Sequence, residues 1–470
     1  MSYLYLSAAH KSSGKTTLTL GLCRALHDRG MKVQAYKKGP DYIDPIWHRL
    51  ASRQPSYNLD FHMMDQDEIL GLFMRHDSPA DISLIEGNKG LYDGMDTEGS
   101  NSNAALAKLL GAPVVLVLDC VGMTRGIAPL VLGYQAFDPE INIAGVILNK
   151  VGGPRHEEKL RAVIERYTDV KVIGAMRMDA EISIVERHLG LMPANESDQA
   201  EVRIDAIANR VRAQVDLDAL IEIARLACPP KTASAVSTSL SANTANAASL
   251  KLAYANDQAF GFYYQEDIDT LRDAGVQIIP FNTLTDPALP DVDGLIIGGG
   301  FPEVFVDQLA VNSNLRADIR RAVNAGLPVY AECGGLMYLS RSLRWNDVYG
   351  DMVGVIPGDA VMGARPVGRG YAALTETGNG FSAAHAEMIP AHEFHYSHLE
   401  NLEPGLTYAY KVLRGQGIDG ENDGYVHLNL LASYCHRRGS GRRGWIQPFL
   451  ARVSGYRTER MSNHTNVEQN

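Results

Sequence analysis

The sequence predicts an α/β fold in two domains, each built on a sheet of largely parallel strands. Short β-branched runs alternate with helical patterns from Tyr3 to about Cys228, and the same alternation resumes at Lys251. Such alternation is typical of parallel sheets flanked by helices. Between the two stretches, residues 229–250 are rich in Ser, Ala, Thr and Asn, which is typical of a flexible linker. With 470 residues the chain is long enough to form two cores.

The predicted boundaries follow from these patterns. We expect a first domain at 1–228, the linker at 229–250, a second domain at 251–440 and a poorly ordered tail at 441–470. The tail prediction comes from the basic, glycine-rich run RRGSGRRG and from the polar ending that follows it. The predicted strands are Tyr3–Ser7, Val33–Tyr36, Ile82–Glu86, Val114–Asp119 and Ala144–Leu148, and then Leu252–Ala255, Gln277–Phe281, Gly294–Ile297 and Pro328–Ala331.

Composition and charge argue against several classes of function. Apolar residues make up 45% of the chain and charged residues 21%, as in ordinary globular proteins. The net charge of −11 argues against nucleic acid or an anionic membrane as a partner, because both require a broad basic surface. The five cysteines are scattered without metal-ligand spacing, and neither an export signal nor a membrane span is predicted, so we expect a cytoplasmic protein.

The first candidate site is a phosphate-binding loop, AAHKSSGKTT, between the first predicted strand and a helical pattern. Backbone N–H groups of such a loop wrap phosphate oxygens at a helix N-terminus, Lys15 reaches the outer phosphates, and Thr16 can ligate Mg²⁺. Ala9 stands where the usual pattern begins with glycine, so the loop is a variant. The alternative, a chance GKT in a helix-capping loop, is disfavoured by the flanking strand and helix. The sequence therefore predicts binding of a nucleotide and Mg²⁺, through Ser13, Gly14, Lys15, Thr16 and Thr17.

Two further motifs, YKKGPDYIDP and IEGNKGLYDG, follow strands of the same predicted sheet. The carboxyl ends of parallel strands border the ligand crevice, so acids there are predicted to converge near Mg²⁺ and the reacting group. Nearby lysines would offset the negative charge, and the alternative for any one of these residues is ordinary solvated surface. Asn149, just after another strand, is a weaker candidate for contacting the adenine edge. The acids are Asp41, Asp44, Glu86 and Asp93, and the lysines are Lys37, Lys38 and Lys89.

The second candidate site is a cysteine at a strand-to-helix turn in the C-terminal domain. The run GLPVYAECGGLMYL places Cys333 directly after an apolar strand and before two glycines and a helical pattern. Such a turn exposes a nucleophile at a helix N-terminus, which favours the thiolate, and it requires small neighbours. Upstream, the glycines of GGGFPE follow a strand, so Gly299, Gly300 and Gly334 could offer backbone N–H groups to an oxyanion. The alternative is a buried structural cysteine.

Spacing alone leaves open which base partners Cys333. Two motifs, HEFHYS and YVHLNLLASYCHRR, each contain two histidines. Cys435 adjoins one of them, but neighbouring residues of a strand point to opposite faces, so we expect it to lie outside the pair. The candidates are His392, His395, His427 and His436.

These motifs, together with ERHLGLMP, occur in the order found in the cobyrinic acid a,c-diamide synthase family, which the chain resembles from Tyr3 to His436. The resemblance implies a P-loop, dethiobiotin-synthetase-like domain with a parallel sheet, followed by a class I glutamine amidotransferase-like α/β domain of triad type. It implies glutamine and a polycarboxylate tetrapyrrole as partners, with ATP activating the carboxylates, and it is compatible with a homodimer.

Carried across by motif, the resemblance also implies roles for individual residues. Cys333 corresponds to the glutaminase nucleophile, and His436 in ASYCH corresponds to the catalytic histidine. In the first domain the resemblance implies that Lys15 and Thr16 hold phosphate and Mg²⁺, that Lys37, Asp41 and Glu86 serve the metal and phosphoryl transfer, and that Ile43, Asp44 and Asp93 lie on the substrate side.

Departures from the family pattern affect the choice of substrate. The family usually continues the last motif as His-x-His-Phe, whereas RRG follows His436 here. AAHKSSGKTT replaces a GTSSGVGKTT-like run and EGNKG replaces EGVMG, which adds His10, Lys11 and Lys89 around the acceptor pocket. This set is similar to the branch linked to dissimilatory sulfite reductase. Sirohaem is therefore the alternative to cobyrinate as the macrocycle.

The predicted mechanism joins the two sites. Cys333 forms a glutamyl thioester and releases ammonia, and ATP phosphorylates a tetrapyrrole carboxylate, after which ammonia displaces phosphate. Ammonia has to pass between the sites without loss to water, which predicts a tunnel or a closure. One rival is a P-loop switch ATPase with an inactive second domain, which leaves the glycine-flanked cysteine without a role. Another is a related amidase that acts on other side chains of the macrocycle.

Overall fold

The structure is a computed structural model that describes residues 2–179, 186–187, 190–192, 194, 199–229, 250–382 and 387–467. The chain divides into two compact units, Met1–Ser237 and Thr238–Asn470. Residues 230–249, which make up nearly all of the predicted linker, lie outside the described residues.

The first unit contains a seven-stranded sheet in the order β3-β2-β4-β1-β5-β6-β7, and every neighbouring pair in it is parallel. Its central strands are buried along their whole length, which explains why they read as continuous apolar runs. The strands are β1 Tyr3–Ala8, β2 Val33–Lys38, β3 Ser56–Leu59, β4 Ile82–Glu86, β5 Val114–Asp119, β6 Ile143–Val151 and β7 Lys171–Arg177, with a separate pair, β8 Glu186–Arg187 and β9 Gly190–Leu191.

Eight helices of this unit accompany the strands within the described residues. They are α1 Lys15–His27, α2 Ile43–Ser52, α3 Gln66–Asp77, α4 Asn103–Leu110, α5 Ile127–Phe137, α6 Pro154–Tyr167, α7 Ala200–Gln214 and α8 Leu217–Ala224. Two apolar clusters, one on each face of the sheet, follow the alternation of side chains along the strands: Tyr3 and Tyr5 belong to one cluster, and Leu4 and Leu6 belong to the other. Burial on both faces leaves the carboxyl edge of the sheet as the place for polar loops.

The second unit contains a nine-stranded sheet in the order β12-β10-β13-β15-β24-β23-β22-β19-β20. Pairings from β12 to β24 are parallel, and those from β24 to β20 are antiparallel. The main strands are β10 Lys251–Ala255, β12 Gln277–Phe281, β13 Gly294–Ile297, β15 Val329–Glu332, β19 Gly368–Glu376, β20 Ile389–His395, β22 Thr407–Arg414, β23 Asn422–His427 and β24 Leu430–Ser433.

Smaller elements complete this unit. A short antiparallel pair joins β11 Phe260–Phe262 to β14 Gly299–Gly300. A second sheet, in the order β17-β16-β18-β21, consists of β16 Ser340–Trp345, β17 Val348–Asp351, β18 Ile356–Met362 and β21 Ser397–Glu400. The helices are α9 Gln265–Asp273, α10 Val306–Val311, α11 Ser313–Asn324, α12 Gly334–Leu339 and α13 Ile446–Val467, together with a 3₁₀ turn at Pro302–Phe305.

The prediction of a poorly ordered tail at 441–470 is wrong over most of its length. Residues Ile446–Val467 form α13, and the apolar side chains of Ile446, Phe449 and Val453 are buried. These side chains recur every three or four residues, so they form one apolar stripe that packs on the sheet of the second unit. The polar character of the last residues hid this stripe. Residues 468–470 lie outside the described residues.

Within the described part of the chain, every helix is too short or too polar to traverse a lipid bilayer.

Candidate active sites

The phosphate-binding loop connects β1 to α1 at the carboxyl edge of the first sheet. Gly14 precedes α1 with φ 90° and ψ 21°, a left-handed conformation that glycine adopts without strain. A Cβ at this position would lie 2.2 Å from the side-chain nitrogen of Asn149, so the space also requires glycine. Asn149 donates a hydrogen bond from Nδ2 to the Ser13 carbonyl at 2.8 Å. Asn149 therefore fixes the loop, and its contact with the adenine edge stays a prediction.

Helix α1 begins at Lys15, and Thr17 lies in its first turn. Backbone N–H groups at a helix N-terminus are free to bind an anion. Burial lowers the pKa of Lys15 to about 8, although the carboxylate of Glu86 acts in the opposite direction. A phosphate bound against this ammonium would offset the cost of burying it. The loop is thus arranged for a negatively charged ligand.

Thr16 belongs to a compact cluster of charged groups beside the loop. Its hydroxyl donates to Glu86 Oε1 at 2.6 Å and lies 3.2 Å from Asp44 Oδ2. The Lys37 ammonium contacts both carboxylates, at 2.7 Å from Glu86 Oε1. Burial alone would lower the pKa of Lys37, but the two carboxylates raise it well above its usual value. Burial and the nearby charge of Asp41 raise the pKa of Asp44 to about 6.

His48 is a residue of this cluster that the sequence reasoning missed. It is fully buried on α2, with Nε2 at 2.7 Å from Glu86 Oε2 and Nδ1 at 3.3 Å from the Ser56 hydroxyl. Burial would raise the pKa of Glu86, but Lys37 and His48 hold it well below its usual value. The available signal was helical spacing, because His48 follows Asp44 by four residues and so shares its face of the helix.

The other predicted acids of this domain shape loops. Asp41 Oδ1 accepts hydrogen bonds from the backbone N–H groups of Ile43 and Asp44, both at 3.0 Å, and so caps the start of α2. Asp93 Oδ2 accepts one from the Gly90 N–H at 3.0 Å. The resemblance implied that Asp41 serves the metal and that Asp44 lies on the substrate side, whereas the carboxylate in contact with Thr16 and Lys37 belongs to Asp44.

The donor atoms of this cluster suit Mg²⁺. Carboxylate and hydroxyl oxygens are the ligands that Mg²⁺ prefers, and Thr16, Asp44 and Glu86 bring such oxygens together. Among the described residues there is no group of three or more His, Cys, Asp or Glu side chains that could hold a metal unaided. Mg²⁺ usually takes its remaining ligands from water and substrate phosphates, so this partial set fits a metal that arrives with a nucleotide.

In the second unit, Cys333 occupies a sharp turn between β15 and α12. Its backbone has φ 47° and ψ −101°, outside the regions favoured by residues with a side chain. Its N–H donates to the Ser433 carbonyl at 2.7 Å, which ties the turn to β24. A Cβ on Gly335 would lie 2.2 Å from the Ile297 carbonyl, so the first turn of α12 can pack this closely only with glycine there. Strained turns of this type present a nucleophile at a helix N-terminus.

His436 is the histidine that the structure brings to this cysteine. Its backbone pairs with that of His392, through N···O distances of 2.7 and 3.0 Å. Its ring is hydrogen-bonded to the Cys333 thiol and to the Glu332 carboxylate. Burial would lower the pKa of His436, but these two partners outweigh it and raise the pKa to about 10. Both partners therefore favour the protonated form of the imidazole.

The glycine loop lies directly against this pair. A Cβ at Gly299 would come within 2.7 Å of Cε1 of the His436 ring. A Cβ at Gly334 would lie 3.1 Å from the Gly300 nitrogen, so the two predicted oxyanion segments are adjacent. The structure thus gathers Cys333, His436 and all three glycines in one place.

The remaining histidine candidates have other contacts. His395 Nδ1 lies 2.8 Å from the Ser397 carbonyl, and its ring stacks on Tyr434 at 4.1 Å. His427 ends β23, where its ring lies 6.5 Å from that of Tyr425. Cys435 is buried with Sγ 3.8 Å from a Glu393 oxygen.

Comparison with known proteins finds a family match for each of the two units. Residues 8–191 match the model of the CobQ/CobB/MinD/ParA nucleotide binding domain, and residues 251–442 match that of the CobB/CobQ-like glutamine amidotransferase domain. A cobyrinate a,c-diamide synthase of Magnetococcus marinus is 45% identical over 96% of each chain. Proteins of that name from Caldanaerobacter subterraneus and Methanosarcina acetivorans are each 39% identical, over 96% and 97% of this chain and over 98% and 96% of their own. The chain belongs to the cobyrinate a,c-diamide synthase family.

Membership confirms the predicted fold class and enzyme class. A nucleotide-binding unit with a parallel sheet is joined in one chain to a glutamine amidotransferase unit, and the enzyme is a glutamine-dependent amide ligase. The switch ATPase with an inactive second domain does not fit this family. It also leaves the strained turn at Cys333 unexplained.

The unusual segment after His436 in this family member is firmly packed. The Arg437 guanidinium lies over the Tyr410 ring at 5.0 Å, and Arg438 forms a bidentate ion pair with Glu266 at 2.6 and 2.9 Å. The Asp267 carboxylate accepts hydrogen bonds from the N–H groups of the next two residues at 2.8 and 3.0 Å. The departure from His-x-His-Phe therefore has its own set of partners.

The contact between Gly299 and the imidazole gives a first prediction. We expect Gly299→Ala to displace the His436 ring, because the new methyl group would overlap Cε1. Glutamine hydrolysis should fall by about tenfold or more, since small displacements of catalytic groups are costly. Amidation with ammonium chloride as nitrogen source should stay within twofold. Equal loss of both activities would show that the substitution acts on folding.

Proposed function

We propose that the enzyme uses ATP and glutamine to convert the a and c side-chain carboxylates of cobyrinate into amides. The observation that carries the proposal is the presence, in one chain, of a cysteine–histidine pair at a strained turn and a phosphate loop beside a buried acid cluster. The names of the relatives supply the substrate.

The amidotransferase half releases ammonia from glutamine. The Cys333 thiolate attacks the amide carbon, and backbone N–H groups of Gly299, Gly300 and Gly334 stabilise the oxyanion. The carbon–nitrogen bond then breaks, and His436 gives its proton to the leaving ammonia. Water hydrolyses the resulting thioester, which releases glutamate and restores the thiol.

The synthetase half activates the acceptor. Ser13, Gly14, Lys15, Thr16 and Thr17 hold the phosphates of ATP, and a carboxylate oxygen of the macrocycle attacks the terminal phosphorus, so that ADP leaves. Ammonia then adds to the acyl phosphate carbon, and phosphate leaves with the former carboxylate oxygen. The Lys37 ammonium offsets part of the negative charge of Asp44 and Glu86 and so reduces the repulsion of anionic reactants at this edge of the sheet.

Mg²⁺ would be held by Thr16 and Glu86, with Asp41 or Asp44 as the third oxygen donor. When bound, it supplies positive charge that offsets the charge of the phosphate oxygens. The contacts of Thr16 favour Asp44 for this place. Ile43 and Asp93 stay candidates for the acceptor side, and a homodimer stays a prediction.

Sirohaem is the second candidate acceptor. The observation that favours it is the set of cationic or potentially cationic side chains on exposed loop positions beside the site, His10, Lys11 and Lys89. These residues differ from the pattern usual in the family. A polycarboxylate with a different arrangement of carboxylates would be recognised through such changes.

Mass spectrometry of the products decides between the acceptors. The purified enzyme is incubated with ATP, Mg²⁺ and glutamine and with either cobyrinate or sirohaem. Each conversion of a carboxylic acid to an amide lowers the mass by about one unit. We expect two such losses with cobyrinate. A mass decrease seen only with sirohaem would make sirohaem the substrate in place of cobyrinate. No mass decrease with either compound would contradict the substrate class.

A further inference from the structure

We propose that Glu332, the residue before the nucleophile, is the positioning residue that completes a triad with Cys333 and His436. The inference rests on the proposed roles of these two residues. No acidic residue follows His436 until Glu459, so no acid lies close after the histidine in sequence. The third member instead comes from the end of β15, one residue ahead of the strained turn.

Both oxygens of the Glu332 carboxylate have defined partners. Oε2 lies 3.1 Å from Nδ1 of His436. Oε1 accepts a hydrogen bond from the Tyr330 hydroxyl at 2.6 Å and another from the Arg437 N–H at 2.9 Å. The Glu332 side chain is 9% exposed and that of His436 3% exposed, so little water competes for these contacts. The carboxylate is held in one orientation toward the ring.

This orientation fixes which ring nitrogen serves the cysteine. Nδ1 of His436 is engaged by the carboxylate, so Nε2 is the nitrogen available to the Cys333 thiol. A buried carboxylate also stabilises the imidazolium that must form when the thiol gives up its proton. The titratable groups facing the His436 ring are Cys333 and Glu332 and, across a ring-to-ring distance of 5.4 Å, His392 from β20. Burial would lower the pKa of His436, but Cys333 and Glu332 together outweigh it and raise that pKa.

The segment that leads into α13 packs against Tyr330 and so supports the orientation of Glu332. The Tyr330 ring stacks on Trp445 at 3.9 Å with an interplanar angle of 15°. Trp445 directly precedes α13, and both aromatic side chains are buried. The segment predicted to be disordered therefore holds the tyrosine whose hydroxyl orients Glu332.

The existing hydrogen bonds dictate how glutamine would sit at this position. The Arg437 N–H can only donate, so the amide oxygen of Glu332→Gln must take the place of Oε1. The amide NH₂ then faces Nδ1 of His436 and makes that nitrogen an acceptor. The proton would be forced onto Nε2, which is the wrong tautomer for accepting a proton from Cys333.

The test measures glutamine hydrolysis by Glu332→Gln between pH 5 and 10, with ammonia-dependent amidation as a check on folding. We expect kcat to fall by about 10²-fold or more, with the KM for glutamine within about threefold. Loss of the carboxylate lowers the pKa of His436, so the basic limb of the kcat/KM profile should move to lower pH by about one unit or more. A purely structural role would not move this limb.

Two further variants keep the test decisive. Glu393→Gln is the matched control, because Glu393 is a buried glutamate that accepts two backbone N–H groups and lies beside His395 rather than His436. It should leave the basic limb in place. Tyr330→Phe keeps the stack on Trp445 but removes one hydrogen bond to Glu332, so a smaller shift in the same direction is expected.

The outcomes separate this inference from the proposed function. If Glu332→Gln retains kcat within threefold and an unmoved basic limb, the positioning role is overturned. If Glu332→Gln also loses ammonia-dependent amidation, its fold is damaged and the test passes to Tyr330→Phe. An unmoved basic limb of the kcat/KM profile in Tyr330→Phe would then overturn the positioning role of Glu332. If Cys333→Ser still hydrolyses glutamine, the proposed function itself fails, whatever Glu332 does.

Discussion

Cys333→Ser is expected to abolish glutamine-dependent amidation and leave ammonia-dependent amidation intact. A serine hydroxyl at this turn is not ionised by an imidazole, so the acyl intermediate does not form at a useful rate. We expect the rate with glutamine to fall by about 10³-fold or more. The rate with ammonium chloride should stay within about twofold, because ammonia supplied from solution replaces the product of the missing step. Amide formation is measured with both nitrogen sources on the same preparation.

Cys435→Ser is the control for this variant. Cys435 is buried two residues after the end of β24 at Ser433, and its Sγ contacts Glu393 rather than Cys333. It should retain both activities. Retention of glutamine-dependent activity by Cys333→Ser would contradict the assignment of the nucleophile, and loss of ammonia-dependent activity would show damage beyond the turn.

Lys15→Met is expected to give the reciprocal result. The substitution keeps the length of the side chain but removes the charge that the phosphate loop directs at its ligand. Amidation should fall by about 10²-fold or more with either nitrogen source, because activation of the carboxylate fails. Glutamine hydrolysis measured without ATP should stay within about threefold of the unaltered enzyme.

Lys108→Met serves as the control for the charge change. The Lys108 ammonium is partly exposed and pairs with Asp138 and Glu140 at 2.9 and 3.2 Å, and exposed pairs of this kind contribute little. This variant should behave like the unaltered enzyme. If Lys15→Met lost only glutamine-dependent amidation, the lysine would act in delivering ammonia and its assignment to phosphate binding would be wrong.

Much of the fold could be predicted from the pattern of apolar residues. The strands Ile82–Glu86, Val114–Asp119 and Gly294–Ile297 have the predicted bounds, because central strands of parallel sheets are apolar throughout. The antiparallel strands after Gly368 were not predicted, since their alternating exposure gives only short apolar signals. The helix Ile446–Val467 was missed because only a few buried side chains, those of Ile446, Phe449, Leu450 and Val453, define its face amid polar residues.

The candidate sites were predicted where a motif ties a residue to a backbone turn. Cys333 and Gly14 occupy positive-φ positions beside glycines or tight contacts. Such positions restrict which residue types fit, so they can be recognised as short motifs in the sequence. Glu332 and His48 were missed because their roles depend on partners 104 and 38 residues away. The resemblance put Asp41 at the metal and Asp44 on the substrate side, but helix α2 decides which carboxylate points at Thr16, and that carboxylate belongs to Asp44.

Transfer of nitrogen within one turnover tests the central claim most directly. The enzyme is incubated with ATP, cobyrinate and glutamine labelled with ¹⁵N in the side-chain amide, in the presence of unlabelled ammonium, and the amide products are analysed by mass spectrometry. If one chain couples the Cys333 site to the phosphate-loop site, the products carry ¹⁵N from glutamine with little dilution by the unlabelled pool. Products that contain only unlabelled nitrogen, despite hydrolysis of glutamine, would contradict the account.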